Sequence, residues 1–128
     1  MYAPPLPNLS TANLPILQAA AAAFKLWYQY LPHTPRLLRY SLGEKITSLA
    51  TQLIEQILIA GYSNRNNKIE AIYKASATLD LLKYFLQIAF DLDAINNKQF
   101  ASLAAHLAEV GRQLGGWQKQ ASKQTPPP

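Results

Sequence analysis

The stretch 97–117, NKQFASLAAHLAEVGRQLGGW, decides the fold. Phe100, Leu103, Leu107, Val110, Leu114 and Trp117 advance in steps of three and four, which lines up one apolar stripe along an α-helix. Working back, 93–97 reads as a turn. Before it, Ile72, Ala75, Leu79, Leu82, Leu86 and Ala89 form the apolar arc of a helix from about Arg65 to Leu92, capped by Ser63 or Asn64. Leu42, Ile46, Leu49, Leu53, Ile57 and Ala60 mark a further helix, and Leu17, Ala20, Phe24, Trp27 and Leu31 another. No run of period-two alternation is long enough for a strand. The expectation is all-α: an up-down-up-down antiparallel four-helix bundle, because connections of four or five residues leave consecutive helices antiparallel.

The helix boundaries follow from local chemistry. Pro15 suits a first turn, and Pro32 ends the first helix. The second helix has two candidate starts. Thr34-Pro35 reads as N-cap and N1, and Ser41-Leu42-Gly43-Glu44 reads as a capping box. The second is favoured, with a short lead-in from Pro35, because Gly43 weakens a helix interior. Gly61 is expected to end the helix in the left-handed conformation. Gly111, Gly115 and Gly116 each cost a helix about 1 kcal/mol relative to alanine. They are expected where a neighbouring helix approaches closely, so that Gly111→Leu overpacks. Residues 1–13, Pro-rich and without helical period, read as a flexible segment, 14–117 as the bundle, and 118–128 as a disordered tail.

The chain has 128 residues, no cysteine and two histidines. That leaves room for one domain and excludes thiolate catalysis, Cys-ligated metals and an all-histidine metal site. The uncharged, proline-bearing start lacks the basic region of a secretion signal. The apolar run Ile16–Phe24 is far shorter than the ~20 residues of a membrane span. Cytoplasmic residence and no membrane partner are expected.

Catalysis needs a nucleophile with a base, paired carboxylates or a metal. Asp91 and Asp93 are too close in sequence to share a helix face. Glu109 stands three residues before Arg112, the spacing of a helical ion pair. His106-x-x-Glu109 reverses the Glu-x-x-His order of di-metal bundles, and the further glutamates such a site needs are missing. His33 reads as a loop residue. No catalytic residue, metal or cofactor is expected.

The basic residues carry more information. Twelve Lys and Arg against seven Asp and Glu give a net charge of +5. Arg65 and Lys83, eighteen residues or five turns apart, share one face of the third helix, with Ser76, Asp80 and Gln87 nearby. Lys98, Arg112 and Lys119 share a side of the fourth. Arg36 and Arg39 lie in the lead-in to the second. These are either solvated faces or patches for nucleic acid or an acidic partner. No base-reading motif accompanies them, so any nucleic-acid binding is expected to be independent of sequence. Trp27 and Trp117 lie on apolar stripes, but Tyr28, Tyr30, Tyr40, Tyr62, Tyr73 and Tyr84 cannot all fit in a four-helix core. Some are expected at the surface, which favours self-association.

Pro35-Arg36, the run Arg39–Ile46 (RYSLGEKI), Ala60–Asn64 (AGYSN) and Glu109–Trp117 (EVGRQLGGW) resemble, in that order, the accessory variability determinant (Avd) family of diversity-generating retroelements. That family is similar to the four-helix-bundle 23S rRNA intervening-sequence proteins. The resemblance spans about Pro15 to Trp117. It implies a ring-like homopentamer that binds the element's reverse transcriptase and template RNA or cDNA, while the polymerase performs the error-prone synthesis that diversifies a target gene. Lys83 stands where similar proteins are basic, whereas Gln87, one turn on, departs from their pattern. The candidate contact residues are therefore Lys83 and Arg65, flanked by Lys68 and Lys74 on the same helix. Arg112, which Glu109 can tie up, and then Arg36 and Arg39 follow. The alternative is a structural oligomeric bundle of the intervening-sequence type, with no polymerase partner.

Overall fold

The computed structural model describes residues 14–124, and the side chains of all of these except Arg65 and Gln124. Four long helices account for most of them: α1 (Pro15–Tyr30), α2 (Glu44–Tyr62), α3 (Arg65–Asp91) and α4 (Asn97–Gln124). Among the described residues there is no strand. Each helix packs on its neighbours in sequence, and α1 closes the bundle against α4. Contacts between opposite ends show the alternation of direction. Trp27 near the end of α1 meets Thr47 near the start of α2. Phe90 at the end of α3 stacks on Phe100 at the start of α4, with ring centroids 4.8 Å apart.

The stripes read from the sequence form most of the core, joined on α1 by Ile16 and Ala23, which lay outside them. Ile16, Ile46, Leu53, Ile57, Ile72, Leu103, Leu107, Val110 and Leu114 are fully buried. Each such side chain contributes about 1.5–3 kcal/mol relative to exposure. Phe24, Leu31, Leu42, Phe100 and Trp117 are half-buried and pack on the margin of that core.

Several boundaries differ from the sequence expectation. Ser41–Glu44 is not a capping box. The chain passes from a 3₁₀ turn (Leu31–His33) through a short helical turn (Arg36–Leu38) and a wider π turn (Arg39–Gly43) straight into α2. Ser41 Oγ donates back to the Leu37 carbonyl. The residue at the N-cap of the lead-in is Pro35, extended at φ −56° and ψ 139°, and not Thr34. Thr34 is buried and donates its Oγ1 to the Leu31 carbonyl at 2.7 Å. Gly43 serves close packing here. A Cβ at that position would sit 2.9 Å from Leu31 Cδ1 and 3.2 Å from the Leu38 carbonyl oxygen.

Gly61 does not take a left-handed conformation and stays inside α2. The helix ends at Tyr62, one residue after Gly61, and extended Ser63 donates both its backbone N–H and its Oγ to the Ile59 carbonyl. The left-handed residue is Asp93, at φ 59°. It closes α3 in a Schellman arrangement: Ala94 N–H donates to the Ala89 carbonyl and Asp93 N–H to that of Phe90. Asn64 caps α3, as one of its two candidates, by accepting from Asn67 N–H. At the start of α4, Asn96 and Gln99 form a reciprocal capping box: each side chain accepts from the other's backbone N–H.

α4 also continues past Trp117 to Gln124, with Ala121 buried, so residues 118–124 belong to the bundle and not to a tail. The segments 1–13 and 125–128, read as flexible, lie outside the described residues.

The glycine expectation for α4 is overturned at two of its three positions. A Cβ on Gly115 or Gly116 meets nothing within 4 Å, and one on Gly111 makes only ordinary contacts with Leu79 Cδ2 and Lys83 Nζ. The overpacking foreseen for Gly111→Leu therefore reduces to displacing a leucine tip and an exposed lysine. Gly116→Ala, with open space around it, is expected to stabilise the subunit by about 0.5–1 kcal/mol through helix propensity. A thermal melt showing an unchanged or lower midpoint would contradict this.

Candidate nucleic-acid and partner interface

The seam between α3 and α4 has a groove lined by Lys83, Leu86, Gln87, Phe100, Ala104, Leu107 and Ala108. Its shape follows from the sequence. On α4, Ala104 and Ala108 are small and exposed between Phe100 and the buried Leu107, so the outer flank of that helix is low there, and the longer side chains of Lys83 and Gln87 on α3 rise beside it. Lys83 stands at the rim, exposed, with its ammonium over the Gly111 backbone. It makes no ion pair with any described residue. Gln87, one turn on, donates its Nε2 to Asp91 Oδ1 at 2.9 Å. That amide is thereby held by a carboxylate at the end of its own helix.

The other candidates do not all join this flank. Arg65 is the first residue of α3, in helical register with Lys83 five turns away. Lys74 was expected to flank Lys83, but nine residues, or two and a half turns, separate them, which places them on opposite sides of α3. Lys74 instead faces the α2–α3 groove beside Gln56, Ile59 and Ser63 and pairs with Glu70 at 3.5 Å. Lys68 is half-buried, with its ammonium 5.4 Å from the centre of the Trp117 ring. A cation–π contact of this kind ties it to the α3–α4 seam. Arg36 is exposed and Arg39 half-buried, both in the lead-in to α2.

Arg112 is engaged by Glu109. Its Nε donates to Glu109 Oε2 at 3.0 Å and its Nη2 to Oε1, and Gln113 Nε2 donates to Oε1 as well. The Arg112 hydrogen bonds, helped by Gln113, pull the Glu109 carboxyl down to about 2, and Glu109 in turn raises the Arg112 guanidinium. A depressed carboxylate contributes its stabilisation fully above the ordinary value near 4.5 and loses it as pH falls through about 2. The pair therefore stays ionised throughout the range of a binding assay, with the Arg112 charge already answered. Arg112→Ala is expected to weaken nucleic-acid binding less than Lys83→Ala at any pH between 5 and 8, as measured by filter binding.

Aromatic residues do reach the surface. Tyr28, Tyr40, Tyr62, Tyr73 and Tyr84 are all more than half exposed, while Tyr30 packs on the core. Tyr73, Ala77 and Tyr84 share the outward face of α3. His33 is exposed in the 3₁₀ turn, and His106 is half-buried on α4. No described helix is long and apolar enough to cross a membrane. Sequence reasoning missed Leu37, the most exposed large apolar side chain described, because it lies between two arginines outside every apolar stripe.

The helix order, the lead-in to α2 and the Glu109–Trp117 segment coincide with a match to the bAvd-like family that covers residues 16–121. The chain belongs to the bAvd-like family. No curated protein matches it. Membership in this Avd-type family makes the chain coarsely an accessory protein, since the family is a non-catalytic one. The match extends beyond Trp117 to Ala121, in agreement with the extra turn of α4 that carries a buried alanine.

Proposed function

We propose that this bAvd-like chain is a non-catalytic subunit of a diversity-generating retroelement. It binds the reverse transcriptase and the template RNA or its cDNA, and it supports mutagenic cDNA synthesis. The observation that carries the reading is the family match across nearly the whole bundle. Lys83 agrees with it, as an unpaired cation at the rim of the α3–α4 groove, where phosphate oxygens find a charge that no carboxylate has already taken.

Assembly belongs to the same reading. The five exposed tyrosines supply rigid, half-polar contact area of the kind found at interfaces. A homopentameric ring would have to bury enough of it to offset the repulsion among subunits that each carry +5.

The test is co-expression with the reverse transcriptase of the same retroelement. A tagged chain is expected to retain the polymerase through purification and to have the mass of a pentamer by light scattering. A stable oligomer with no polymerase retained would favour a purely structural bundle of the intervening-sequence type. A micromolar monomer would exclude both.

A further inference from the structure

We propose that the turn Arg36–Tyr40 is the surface by which this chain grips its protein partner, and that it fits an acidic, apolar-lined hollow on the reverse transcriptase. This rests on the reading of the chain as a polymerase accessory, and assigns the protein contact to a different surface from the α3–α4 groove.

The turn presents the two most exposed large apolar side chains described, Leu37 at 84% and Tyr40 at 68%. Three residues apart in a helical turn, they are neighbours. Arg36 is exposed beside them, and Arg39 is half-buried with its Nε shielded from solvent and lacking a hydrogen-bond acceptor among the described residues. Neither arginine makes an ion pair with a described residue. The lead-in itself holds no carboxylate, the first in the sequence being Glu44 at the start of α2. A partner that presents carboxylates to Arg36 and Arg39 and an apolar hollow to Leu37 and Tyr40 is complementary in both respects, and a basic partner is repelled.

The turn is also rigid. Pro35 fixes its entry, and Thr34 is buried and bonded to Leu31. On the inner side Leu38, Leu42 and Gly43 close against Trp27, Ala89 and Ala94 without a space large enough for water. The contact residues are thus held out from a packed base, and little ordering remains to be done on binding. Tyrosine and arginine at the centre of a small rigid patch are typical of the few residues that dominate protein interfaces. Nucleic acid has less use for this surface. Single strands are held by cations and aromatic stacking, and a leucine exposed beyond four-fifths of its area contributes to neither.

The experiment compares the wild-type chain with an Arg36→Glu, Leu37→Asp, Tyr40→Ala variant, each co-expressed with the reverse transcriptase of the same retroelement. Retained polymerase, assembly mass, helicity and retardation of template RNA are all measured. The expected result is a loss of retained polymerase by about tenfold or more, with the other three readouts unchanged. If the wild-type chain retains no polymerase, the functional reading fails and the inference with it. If wild type and variant retain it equally, only the inference fails. A parallel loss of RNA retardation would make the turn a nucleic-acid surface, and a fall in assembly mass would make it a contact between copies of this chain. Either result overturns the proposal.

Discussion

Replacing Trp27 by alanine is expected to destabilise the bundle by about 3–5 kcal/mol, a large share of the ~5–15 kcal/mol that holds a domain of this kind together. The side chain is 3% exposed and lies where three elements meet. Its ring fills the space between α1, the lead-in and the end of α3, against Thr34, Leu38, Leu42 and Ala89. Its Nε1 donates to Thr47 Oγ1 at 2.8 Å, and Thr47 Oγ1 donates onward to the Gly43 carbonyl at 2.8 Å. Alanine removes the ring, and the hydrogen bond with it. Trp27→Phe keeps much of the packing and loses the bond, so about 1–2 kcal/mol is expected. Urea denaturation of both variants separates the two contributions. Losses below 1 kcal/mol in both would show that the lead-in is held from elsewhere, and the rigidity argued for Arg36–Tyr40 would fall with it.

The same corner of the molecule shows what the sequence could and could not convey. Helix periodicity depends on a repeated pattern. The stripes of Ile46–Ala60 and Leu103–Leu114 were therefore legible, and each of their residues is buried. The ends of helices depend on single residues with more than one use. Gly43 resembles a break because glycine disfavours helices, yet it is there because Leu31 and the Leu38 carbonyl leave no room for a Cβ. Gly61 looked like a left-handed cap, but that conformation fell to Asp93, whose side chain tolerates it. The basic residues show a similar limit. Charge and spacing picked out the lysines of α3, and the same spacing could have shown that Lys74 lies across from Lys83 and pairs with Glu70, four residues before it on the same helix. Nothing local told that Lys68 would lie over Trp117, because that contact depends on which helix flanks α3, and only the assembled bundle supplies it.

The pairing pattern also sets the second large effect. Among the charges on α3 and α4, Lys74 and Arg112 are neutralised by neighbours within their own helices, whereas Lys83 is not. The Lys83→Ala, Arg65→Ala double variant should keep its helicity, since Lys83 is exposed and Arg65 is the first residue of its helix. Each lost phosphate contact to single-stranded RNA lowers the slope of log affinity against log salt by about 0.7. Two contacts lower it by about 1.4 per chain, multiplied by the number of subunits that touch the strand. Affinity should fall alike for unrelated RNA sequences, because phosphates and not bases are being read. The loss should be greatest at low salt and narrow as salt rises, since counterion release weakens the wild-type protein faster than the variant. A salt titration in which the two slopes coincide would remove the α3 flank from the interface. It would move the nucleic-acid surface to other exposed cations, among them Arg36 in the lead-in and Lys98 and Lys119 of α4.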